Sequence, residues 1–88
     1  MPLTAEQYDR VYERLGEQQR GAVDNALELY REGRVTKAVS FFLENSGLGL
    51  QENELAPVIL SSYARDEGAF RRAMLEFFTV EIQAVEQS

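Results

Sequence analysis

The chain has 88 residues, 44% hydrophobic and 27% charged, and its fifteen Asp and Glu against nine Lys and Arg leave a formal net charge of −6. A length of this order makes one domain, residues 1–88, and hides about two thirds of the surface that the unfolded chain exposes. With no cysteine and no histidine, disulfides, thiolate nucleophiles, cysteine metal sites and the commonest neutral-pH base are excluded, so no enzyme, metal site or cofactor is expected.

The charge is uneven. Residues 1–30 hold six acids and three arginines, residues 31–72 hold six of each sign, and residues 73–88 hold three acids and no base. An acidic chain without a basic stripe suits a basic protein partner better than a phosphate backbone, so no direct nucleic-acid binding is expected. No stretch approaches the roughly 18 uninterrupted apolar residues of a membrane span, and MPLTAEQYDR lacks the layout of a signal peptide. The expectation is a cytoplasmic protein without a membrane contact.

The first helix opens at Thr4, where Thr4 and Gln7 can form a capping box and Leu3 and Tyr8 a hydrophobic staple. Tyr8, Val11, Tyr12 and Leu15 make its apolar stripe, and GEQQRG from Gly16 loosens or breaks it. A second helix runs through Ala22, Val23, Ala26, Leu27 and Tyr30 to a stop near Gly33. A third spans about Val35 to Glu44, with Val35, Ala38, Val39 and Phe42 inward, and ends in the loop NSGLGLQ. Asn53 can cap a fourth helix with Pro57 in its first turn, where the missing N–H costs nothing, and Leu55, Val58, Ile59 and Ser62 share a face. Asp66 caps the last helix, from about Glu67 to the C-terminus. No segment alternates with the period of a strand. The fold expected is all-α, a compact bundle of four to five helices built from helical hairpins, with a long and widely apolar C-terminal helix.

Ala26 to Phe42, ALELYREGRVTKAVSFF, resembles the middle of a tetratricopeptide repeat. Tyr30, Gly33, Ala38 and Phe42 stand at that family's relative positions, while its preceding tryptophan or leucine and closing proline are missing. What the resemblance implies is a helical hairpin.

In the last helix Phe70, Met74, Phe77 and Ala84 form one seam, and Leu75, Phe78, Ile82 and Val85 a second beside it. So wide an apolar arc must be covered from two sides, by the chain's own helices or by docking of another chain. Glu81 interrupts the first seam. A partner in the fold, a basic partner protein or water can relieve it, and the simplest arrangement ends the core near Phe78 with the last turn projecting beyond.

Glu6, Asp9, Glu13 and Glu17 fall at spacings of three and four, an acidic ridge that either attracts a basic partner or is a solvated face neutralised by Arg10 and Arg14. Phe41 lies off its helix's main stripe and needs cover. Arg65, Arg71 and Arg72, and Arg31, Arg34 and Lys37, are placed to pair with the chain's own acids. The role expected is a non-catalytic protein-protein interaction module: a small adaptor, inhibitor or regulatory subunit, with Glu6, Asp9, Glu13, Glu17, Phe41, Leu75, Phe78, Glu81 and Ile82 as contacts. Its partner would be a basic protein or, through the second seam, another copy in a homodimer. The alternatives are an acidic mimic of nucleic acid that inhibits a nucleic-acid-binding protein, resting on the Glu6 to Glu17 ridge, and, further off, a helix-turn-helix DNA binder using Arg65 to Arg72.

Overall fold

Capping residues set most of the helix starts. The computed structural model describes residues 3–50 and 53–87, with side chains as far as residue 79. Helix α1 (Ala5–Arg14) begins with both halves of the capping box: Thr4 Oγ1 accepts the Gln7 N–H at 3.2 Å, and Gln7 Oε1 accepts the Thr4 N–H at 2.8 Å. Leu15 and Gly16 are extended, and α2 (Glu17–Arg31) starts immediately after them. The break is thus only two residues wide, and EQQR is the first turn of α2.

Gly33, at φ +81°, ends the α2 segment in the left-handed conformation that favours glycine. Its N–H donates to Tyr30 O and that of Arg34 to Leu29 O, each at 3.0 Å, which satisfies carbonyls left open at the helix end. Helix α3 (Val35–Asn45) then folds back, and α2 with α3 is the most extensive helix pair. The hairpin is therefore present. Both helices carry fully buried alanines, Ala26 and Ala38, whose size suits close approach of two backbones.

After the turn at residues 46–50, Asn53 Oδ1 accepts the Leu55 N–H at 2.9 Å and opens α4 (Leu55–Tyr63). Asp66 Oδ1 accepts the Ala69 N–H at 2.8 Å at the start of α5 (Glu67–Gln87). The described residues contain five helices and no strand, and the radius of gyration, 12.2 Å, is close to the roughly 12 Å of a compact chain of this length. The all-α bundle read from the sequence is the fold.

Helix α5 packs on α1, α2 and α4. Phe70, Met74, Leu75 and Phe78 are buried on it. Phe42 of α3 meets Phe78 edge-on, with ring centroids 5.7 Å apart at 90°, and Tyr30 stacks on Phe70 at 5.4 Å. One expectation is corrected here. Leu75 and Phe78, expected as part of a docking seam, are 0% and 2% exposed; α1, α2 and α4 pack on α5 and Phe42 of α3 reaches Phe78, so that arc is core. The face of α4 that packs bears Ala56 and Leu60, and the face shared by Leu55, Val58, Ile59 and Ser62 is exposed. Both faces of that helix are apolar, and its inner side takes the small alanine and one leucine.

Candidate functional site

The outer face of α4 exposes four large apolar side chains: Leu55 is 66% exposed, Val58 61%, Tyr63 52% and Ile59 40%. From Leu55 to Ala64 the sequence has no charged residue. Their combined exposed surface, on the order of 400 Å², falls within the roughly 300–600 Å² of the largest apolar patch on an ordinary monomer, a size commonly tied to binding. Beside it runs a groove of about 240 Å³ lined by Ile59 of α4 and Ala73, Glu76 and Phe77 of α5. The patch and the groove share Ile59.

Two polar details suit this face to burial. The Ser62 hydroxyl donates to Val58 O at 2.8 Å, one turn back on the same helix, so covering it strands no donor. The chain has four tyrosines, and three anchor their hydroxyls internally: Tyr8 on Glu76, Tyr12 on Asp24 at 2.8 and 3.0 Å from its two oxygens, and Tyr30 on Ala64 O at 3.2 Å. Tyr63 has no such bond among the described residues and is about half exposed. Exposed tyrosines of this kind are frequent anchors in protein interfaces.

Glu76, at the edge of the groove, ties α5 to α1 by accepting the bond from Tyr8. Burial, then that bond and the nearby carboxylate charge, push the Tyr8 hydroxyl up to about 12. Tyr12 is also raised, chiefly by its bond to Asp24 and then by burial. A phenol whose pKa is raised in the folded state favours folding fully below its unfolded value, about 10, and loses that contribution as pH climbs through the folded value. Unfolding in urea followed from about pH 9 to 12 should therefore show stability falling with pH, and Tyr8→Phe should flatten the fall. An unchanged slope in Tyr8→Phe would refute the assignment.

The other expected contacts lie elsewhere. Glu6, Asp9 and Glu13 are exposed on α1, but Glu17 is the first residue of α2, beyond the break at Leu15 and Gly16, and does not continue their stripe. Asp9 accepts a bond from Arg71 at 3.3 Å, and the Arg71 guanidinium lies 5.4 Å from the Tyr12 ring centroid. Arg31 pairs with Glu67. Arginines from both basic clusters are thus engaged by the chain's own acids. Phe41 is half-buried in a cleft shared with Leu29, Lys37, Asn25, Glu28 and Glu32, so α2 supplies part of its cover. Glu81 and Ile82 lie outside the residues whose side chains are described.

The α4 face could have been suspected from LAPVILSSY, nine residues without a charge. Periodicity could not reveal which side was outward. Among the described residues no group of three or more acidic side chains could hold a metal, and no helix is long and apolar enough to cross a membrane. Compared with known proteins, the chain matches no family model, no curated protein and no solved structure.

Proposed function

We propose that this chain is a non-catalytic protein-binding module whose contact surface is the outer face of α4. The observation that carries the reading is the exposure of Leu55, Val58, Ile59 and Tyr63 together on one uncharged helix. A face of this kind gains stability when another protein removes it from water, at about 25 cal/mol per Å² of apolar surface before the costs of association. Tyr8, Tyr12, Arg31 and Arg71 spend their polar groups on bonds that hold the helices together, which supports a structural rather than chemical use of them.

A photo-crosslinking residue at position 58, in cells that make the protein, tests this. A discrete protein adduct from position 58, absent from the same probe at exposed Glu13 on α1, is the expected result. No adduct from position 58, or the same adducts from both positions, would overturn the reading.

A further inference from the structure

We propose that the cleft between α2 and α3 is a separate contact surface, and that it takes an arginine side chain carried by a segment of a partner protein. Asn25, Glu28, Leu29 and Glu32 line it from α2, at the three-and-four spacing of one helix face, and Lys37 and Phe41 line it from α3, one turn apart. No residue of α4 takes part. The proposal is therefore independent of the α4 reading, and its failure leaves that reading standing.

The charges in the cleft select the occupant. Asp9, Asp24, Glu67 and Glu76 each accept a bond from a residue of another helix. Glu28 and Glu32 differ: among the described residues neither carboxylate has an ion pair or a side-chain hydrogen bond, not even with Lys37 of the same cleft. Both are exposed, and their spacing of four residues sets like charges one turn apart, which weakens a helix. Two carboxylates against one ammonium leave the cleft a surplus negative charge, in a chain whose net charge is −6. A cation seated between Glu28 and Glu32 relieves both at once.

The apolar part of the cleft selects arginine among cations. Leu29 and Phe41 are half-buried, so they offer a floor of one aliphatic chain and one aromatic ring beneath an exposed polar rim. A guanidinium can lie flat on such a ring while its five N–H groups, fixed in a plane, reach carboxylates on either side. Its methylene stem suits Leu29. The space, about 500 Å³, lies within the roughly 300–1,000 Å³ of ligand clefts and is more than one side chain fills, so apolar neighbours in the same segment have room beside the arginine.

The test titrates the isotope-labelled chain with the blocked pentapeptide Gly-Leu-Arg-Leu-Gly, followed by amide NMR at about 20 mM salt, where screening is weak. Shifts confined to the facing parts of α2 and α3, with a dissociation constant on the order of 1 mM, are the expected result. Glu28→Gln and Glu32→Gln should each weaken binding about threefold and together at least about tenfold. Both positions are exposed, so helical content by circular dichroism should not change. Phe41→Leu, which keeps an apolar floor but removes the ring, should weaken binding about threefold, and Lys37→Gln, which removes the competing cation, should tighten it about twofold. No shifts in the cleft, equal shifts with glutamate in place of the peptide's arginine, or a double glutamine variant that binds as well as the unaltered chain would overturn the proposal. So would weaker binding by Lys37→Gln, which would mark an anion site, or spermidine shifting the same amides as strongly as the peptide, which would mark a site for any cation.

Discussion

Phe78→Ala is expected to lower the free energy of unfolding by about 3–5 kcal/mol, measured by urea denaturation with the m-value unchanged. Phe78 is 2% exposed and stands perpendicular to the Phe42 ring, while Phe70, Met74 and Leu75 on the same helix are fully buried. Alanine at this point would remove the ring's transfer free energy and leave a cavity that surrounding helices can only partly fill. Since domains of this kind are stable by roughly 5–15 kcal/mol, the loss is a large fraction of the total. For the same reason Phe78→Glu, which the second seam of α5 would have suggested as a way to split a dimer, should unfold the chain instead. A loss below about 1 kcal/mol for Phe78→Ala would show that α5 is not packed as described.

The second large effect compares one chemical change on two faces of the same helix. Leu60→Ala should cost about 2–5 kcal/mol, since Leu60 is fully buried where α4 meets its neighbours, and Leu55→Ala should stay within about 0.5 kcal/mol in the monomer. The two residues are five positions apart, on opposite sides of a nine-residue helix. Measured at low micromolar concentration, where association contributes least, the pair reports directly which side of α4 is held by the fold. Equal losses at both positions would mean that the outer face is already covered within one chain, and the proposed contact surface would fall with it.

A difference of this size between faces has a functional meaning. The inner face of α4 is buried in the core and the outer face is largely exposed, so a substitution on the outer face is expected to alter binding without unfolding the chain. Stability and association can be separated experimentally only at such positions. Val58 and Ile59 are the natural sites for interface variants, while Leu75 and Phe78 are not.

Most local decisions were legible in the residues. Thr4 with Gln7, Gly33, Asn53 and Asp66 mark helix ends through bonds that each residue type makes with its own neighbouring backbone, and these form as the spacing predicts. The inward stripes of α2 and α3 were legible too, because polar residues on their opposite faces leave only one side to bury. The acidic stripe was legible only in part. Spacing alone joined Glu17 to Glu13, and the two extended residues between them put Glu17 on another helix.

By itself the sequence determined the all-α class, the positions of the turns and the apolar stripes, since these follow from each residue's preferences and from its neighbours a few positions away. Which of two apolar faces is inside was decided only by tertiary packing. α5 carries six charged residues and α4 none, yet α5 packs on three other helices and buries Phe70, Met74, Leu75 and Phe78, whereas α4 buries Ala56 and Leu60 and leaves Leu55, Val58, Ile59 and Tyr63 exposed. The physical reason is geometric: hydrophobic burial has no direction of its own, and a small chain has room at its centre for one helix, so a helix at the edge, however apolar, is left with a face toward solvent.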